Sequence, residues 1–214
     1  SAYYFPTTGR MRALEVRKGS SQIKYGPQTN GGALNFISTE IPEDLTLDST
    51  LSFGSDVARK GRINLGASHQ NFGWLIETYQ LNTNGFKELD GGGDTGFSIN
   101  DYLAKFRFNT SKNDPNYQQL EFKFGRTNQD SDETYLGLTD DDFSANPNRR
   151  YRASQIDNFK STHEQYQVRH FATLPKGLDL TTTIYRNNFA RNWYKLQSIS
   201  GTKLSNLFKD PTTY

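Results

Sequence analysis

Cysteine is absent from the 214 residues. That removes disulfides, thiolate metal sites and cysteine nucleophiles together. No run approaches the roughly 18 apolar residues of a transmembrane helix, so no helical span is expected. A membrane β-barrel stays open, because its signal is alternation and not bulk hydropathy. Hydrophobic residues make up only 33% of the chain and the mean hydropathy is -0.81, too little for a conventional two-sided core. Charge of one sign is also lacking: 25 Lys and Arg stand against 23 Asp and Glu, a net +2. With no basic stripe interleaved with aromatics, nucleic acid is not an expected partner. There is no GxxxxGK[ST] and no GxGxxG opening a helix, and GxSxG, HExxH and the EF-hand loop are missing. No enzyme constellation emerges, and no resident cofactor is expected.

What the chain does have is aromatic residues: 15 Phe and 12 Tyr, in a composition that is 14% aromatic. Such a chain is not disordered. It fits a sheet that is apolar on one face and wet on the other. Strand-like alternation recurs and helical periodicity is nearly absent. In 44–54, DLTLDSTLSFG, Leu45, Leu47, Leu51 and Phe53 share one face, with Thr46, Asp48, Thr50 and Ser52 on the other. In 101–110, DYLAKFRFNT, Tyr102, Ala104, Phe106 and Phe108 oppose Lys105, Arg107 and Asn109. Similar runs cover 62–70, 117–128, 163–174 and 178–190, whereas 72–82, FGWLIETYQLN, leaves its facing open. These seven strands of roughly ten residues have the length of a tilted bilayer-crossing strand. The links alternate strictly: short near Asn71, at 112–116 and at 175–177, longer at 55–61, 83–98 and 129–162. An up-and-down meander with tight turns at one end and long loops at the other has that asymmetry, as outer-membrane barrels do.

The first 38 residues differ. Short apolar runs at 13–16 (ALEV) and 33–37 (ALNFI) flank the glycine-dense stretch GSSQIKYGPQTNGG. A boundary near Ile41-Pro42-Glu43 divides the chain into a small element, 1–41, and a strand-rich remainder, 42–214. Gly26, Gly31 and Gly32 permit positive φ, and Pro27 fixes the chain after a turn.

The stretch 14–37, LEVRKGSSQIKYGPQTNGGALNFI, resembles the end of the plug domain of TonB-dependent outer-membrane receptors. Glu15, Val16, Arg17, Gly19, Tyr25, Gly26, Gly31, Gly32 and Asn35 match the family pattern in order and spacing. The stretch 132–152, DETYLGLTDDDFSANPNRRYR, with Asn192-Trp193-Tyr194-Lys195, resembles the ferric citrate receptor branch. The resemblance implies a fold: the C-terminal part of a plug, then the first seven or so strands of a partial antiparallel up-and-down transmembrane β-barrel, all-β throughout. In that setting the glycine loop packs against the barrel wall, where Cβ atoms would collide. It implies active import of a ferric chelate, citrate or another siderophore, across the bacterial outer membrane. The TonB complex, lipid and lipopolysaccharide are then the partners, with TonB engaging plug regions outside this chain. The chain, which begins at Ser1, is expected to be a piece of a longer protein.

An anionic ferric carboxylate needs forked donors at the pore mouth, and arginine offers them bidentately. Arg149, Arg150 and Arg152, in the longest loop, are the candidate ligand contacts. Pairing with Asp140, Asp141 and Asp142 to order the loop, or contact with lipopolysaccharide phosphates, is the alternative. No metal-ligating set is expected from His69, His163 and His170, which lie far apart. Trp74, Tyr185, Trp193 and Tyr194 are expected in interfacial girdles. A passive porin and a soluble all-β ligand-binding module are the rival readings.

Overall fold

The computed structural model describes residues 6–18 and 31–207. Its architecture is all-β and antiparallel, with two short helices. A 3-10 turn, Thr8–Arg10, leads into β1 (Met11–Arg17), which pairs antiparallel with β2 (Ala33–Ser38). Gly32 opens β2 at φ 124°, a conformation glycine adopts at no steric cost.

The main sheet follows. It comprises β3 (Thr46–Phe53), β4 (Arg59–His69), β5 (Phe72–Thr83), β7 (Phe97–Asn109), β8 (Gln118–Asp132), β10 (Asn158–Leu174) and β11 (Leu178–Tyr194). Each pairs with the next in chain order, from β3 at one edge to β11 at the other. The seven expected strands are all present, and the links alternate as expected. Residues 54–58, 84–96 and 133–157 join strands at one end, residues 70–71, 110–117 and 175–177 at the other. The three-residue turn at 175–177 closes with Lys176 and Gly177 both at positive φ, as twisted hairpins favour. Six strands exceed ten residues: β4 has 11 and β5 has 12, and four are markedly longer, β7 with 13, β8 with 15, and β10 and β11 with 17 each. The added residues lie mostly at the long-loop end, where the β8 end, 129–132, is polar on both faces and the start of β7 puts Phe97 and Ile99 on the inner face, so the alternation there is lost or reversed.

The long loops carry their own small elements. β6 (Glu88–Leu89), in the loop 84–96, pairs parallel with β9 (Arg149–Arg150), in the loop 133–157. The second loop also holds α1 (Asp140–Ala145). Its N-cap Thr139 accepts a hydrogen bond from the Asp142 amide, and three aspartates in the first turn suit the helix dipole. Beyond β11 lie β12 (Ser198–Ile199), β13 (Thr202–Lys203) and α2 (Leu204–Leu207).

Register fixes which side chains share a face. One row runs Leu75, Lys105, Lys123, Gln167 and Tyr185 across β5, β7, β8, β10 and β11. The β1–β2 hairpin and the segment after it lie on this side, the inner face. Ile41 reaches it and buries with Leu75 and Leu103. Full burial of such side chains contributes about 1.5–3 kcal/mol each. The opposite, outer face is apolar and uncovered: Leu47, Leu51, Ile63, Ile76, Phe108, Phe124 and Ile184 are all exposed. An apolar face of that extent on a chain this polar marks an interaction surface. Trp74 is on the outer face, paired with Phe106, and Tyr194 is also exposed. Tyr185 and Trp193 stand on inner-face rows instead, and Trp193 packs on Tyr135 and Phe159 beneath the long loop.

Candidate functional site at the charged face of the sheet

Charged side chains hold the N-terminal segment to the inner face. The Arg10 guanidinium ends the 3-10 turn and donates from Nε to Asp101 on β7; both side chains are almost wholly buried. Asp101 also accepts from Thr127 Oγ1 on β8 at 2.7 Å. Close approach makes room for this: a Cβ on Gly9 would lie 2.2 Å from the Tyr79 ring. Further along, Glu77 on β5 accepts from Arg62 Nε at 2.8 Å and from Thr39 Oγ1 at 3.1 Å. Arg62 in turn donates from Nη2 to Thr39 at 3.0 Å. A buried ion pair adds little net stability, but losing one partner strands a charge. These pairs therefore fix where the segment sits more than they stabilise it.

Of the residues that carry the family resemblance, the structure brings Glu15, Arg17 and Asn35 together on the hairpin. Glu15 and Asn35 are register partners, and Glu15 Oε2 accepts from Asn35 Nδ2 at 3.2 Å and from Arg17 Nη2 at 3.2 Å. Gly19, Tyr25 and Gly26 lie outside the described residues. At Gly31, among the described residues, a Cβ would meet nothing within 4 Å. Close approach falls on the sheet's own glycines: a Cβ on Gly66 would lie 2.8 Å from Pro42 Cδ.

Between the hairpin's exit and the sheet is a cavity of about 660 Å³. Lys105, Arg107, Lys123, Arg169 and Glu121 line its sheet side, and Glu40 and Glu43 its segment side. Arg107 donates to Ser68 Oγ at 2.8 Å and stands 3.8 Å from Glu43. Glu43 sits closer to Lys112, at 2.8 Å, whose hydrogen bond holds its carboxyl below the usual range.

The three loop arginines part company. Arg149 is clasped: Nε and Nη2 each donate to Asp90 at 3.0 Å, and Nη1 to Asp142 at 2.6 Å. Tyr151 Oη also donates to Asp142. Together with Thr139 and Arg149, that bond depresses the Asp142 pKa. Arg150 donates to the Pro147 carbonyl at 2.8 Å and lines a pocket of about 250 Å³ with Lys87. Burial first, then the Arg150 charge, lowers the Lys87 pKa. Arg152 is exposed and, among the described residues, makes no ion pair.

No family model and no solved structure matches this chain. Sequence reading missed Asp90, Tyr151 and the Arg10–Asp101 pair. Asp90 and Arg149 are brought together only by the β6–β9 pairing, and nothing local in either loop signals it. Among the described residues no group of three or more His, Asp and Glu is disposed to hold a metal ion.

Proposed function

We propose that this chain is the end of the plug and the first seven strands of a TonB-dependent outer-membrane receptor that imports a ferric chelate, with ferric citrate the leading ligand. One observation carries the reading: a sheet apolar where nothing covers it is charged where the N-terminal hairpin does. Such a wall suits lipid outside and water inside, with the hairpin as part of the stopper. Long loops gathered at one end suit an outer mouth where ligand is captured. In this role the protein performs no covalent chemistry. TonB-delivered energy displaces the plug, and the chelate crosses the bore.

At the mouth, Arg149 orders the two loops through Asp90 and Asp142. Arg150 and Arg152 keep donors for an anionic chelate, in charge-assisted hydrogen bonds of the strong class. The test uses the full-length receptor in cells, with radiolabelled ferric citrate. Energised cells with intact TonB accumulate iron and cells lacking TonB do not. Arg150→Ala and Arg152→Ala each weaken chelate binding about tenfold. Unchanged affinity in Arg149→Ala, Arg150→Ala and Arg152→Ala alike removes the arginine assignment. Steady conductance through the complete protein in a planar bilayer identifies a porin instead, and purification without detergent a soluble module.

A further inference from the structure

We infer that the inner face beneath the hairpin holds a small multivalent carboxylate anion at Lys105 and Lys123, a site separate from the loop arginines. The two lysines are direct partners across the antiparallel β7–β8 pair, pointing to the same face. Like charges so placed repel at close range. Lys105 is only 6% exposed, and among the described residues neither lysine makes a salt bridge or a side-chain hydrogen bond. An ammonium at a cavity wall without a partner is costly to the extent that it is desolvated. Two facing each other are costlier still, unless something negative sits between them.

The next row strengthens the case. It reads Arg107, Glu121 and Arg169 across β7, β8 and β10, so two guanidinium groups flank one carboxylate. Arg107 Nε is buried and has no hydrogen-bond partner. All five of these side chains line the same cavity of about 660 Å³, a volume in the range of small-molecule sites. The acids across the cavity are largely engaged: Glu40 pairs with Arg12 at 2.7 Å, and Glu43 is shared between Lys112 at 2.8 Å and Arg107 at 3.8 Å. Lys105, Lys123 and Arg169 thus face the cavity without an ion pair among the described residues, against the single uncommitted carboxylate of Glu121. The row lies toward the short turns, away from the loop arginines, so an anion here has passed the mouth. The site itself rests on the wall's geometry; the choice of carboxylate rests on the import reading proposed above.

Citrate is titrated calorimetrically into the full-length protein in detergent, carrying Arg150→Ala and Arg152→Ala so that the loop contacts are silent. We expect binding in this background. Lys105→Gln and Lys123→Gln each weaken it about tenfold, whereas Lys105→Arg and Lys123→Arg, which keep the charge, retain it within a few fold. Inorganic phosphate at matched ionic strength binds more weakly than citrate. Citrate binding untouched by the glutamine substitutions overturns the site, and phosphate binding equal to citrate overturns the carboxylate assignment. A glutamine pair that lowers thermal stability with no effect on the titration also overturns it, since a carboxylate of the protein itself then serves the lysines. Absence of iron uptake by the unsubstituted receptor would remove the import reading, while this titration still decides the site.

Discussion

Ile76→Arg separates a lipid-facing wall from a wetted one, because the two environments give different magnitudes for the same substitution. Ile76 is in β5, between Leu65 and Ala104 on the outer face, and is 55% exposed. It is four residues beyond Phe72, the first residue of β5 after the short turn. At about 3.4 Å per residue and a tilt of about 40°, that is roughly 10 Å along the membrane normal. The apolar band of an outer-membrane barrel is about 25 Å tall, which puts Ile76 close to its midplane. An arginine there costs about 2–4 kcal/mol, so the folding equilibrium falls by a factor of roughly 30 to 1,000. In water the same change replaces a half-exposed aliphatic by a solvated cation, and stability moves by no more than about 0.5 kcal/mol. The assay is urea-dependent folding of the full-length protein into lipid vesicles, followed by heat-modifiable gel mobility. Asn187→Arg, on the opposite face of β11 in the row of Gln165, is the control and stays near the unsubstituted protein. If Ile76→Arg and Asn187→Arg both fold as the parent does, the outer face does not meet lipid.

Three further outcomes are expected. Asp101→Asn leaves the buried Arg10 guanidinium uncompensated at a cost of about 3–5 kcal/mol, read as faster amide exchange over β1 and β2; Arg10→Met combined with Asp101→Leu recovers most of the loss, and unchanged exchange in Asp101→Asn shows that the pair does not hold the segment. Gly66→Ala puts a Cβ 2.7 Å from the Trp74 carbonyl oxygen and 2.8 Å from Pro42 Cδ, so the strand or the segment must shift; we expect reduced heat-modifiable mobility, and parent-like mobility shows that the space yields without strain. The depressed Asp142 pKa means that the clasp's stabilisation is complete above the usual carboxylate range and fades as pH falls through the folded value; protease nicking within 133–157 should therefore rise in acid, and already at neutral pH in Arg149→Ala, while pH-independent nicking removes the clasp as the loop's organiser.

How much of this was legible in the sequence varied with what each residue meets. β3, and β7 over 104–109, were plain because one face is apolar and the other polar there, so period-two alternation survives. β5 was not, because Trp74 and Ile76 point outward while Leu75 and Tyr79 point inward and are buried. The inner face is dry where Ile41 and the 3-10 turn seat on it, and there alternation becomes a continuous apolar run. The ends of β8 and β10 were hidden for another reason: Gln129 and Asp130 put polar groups on both faces of β8, and Asn158 and Lys160 put them on the otherwise apolar outer face of β10, opposite buried Phe159. Among the candidate arginines, the sequence pointed to one cluster. The structure divides it, because Asp90, nearly sixty residues upstream, takes Arg149.

The edges of the sheet bear on the same question as Ile76. β11 is 17 residues long, exposed along most of its length on both faces, and among the described residues pairs only with β10. Its outer face carries Leu178, Leu180 and Ile184, all exposed. β3, the other edge, presents Leu47, Leu51 and Phe53 in the same way. In water, two long edges with aliphatic faces template association, and soluble proteins blunt such edges with proline, bulges or inward charges. Here no proline interrupts β3 or β11 and the register of each with its partner runs without a bulge; the inward charges are few, Asp48 on β3 and Asp179 and Arg191 on β11. In the proposed role, further strands would pair the backbone groups of these edges and lipid would cover the outer aliphatics. Closure into a barrel within lipid meets both demands at once. It also accounts for the polarity of the inner face, which a two-sheet sandwich would have had to bury.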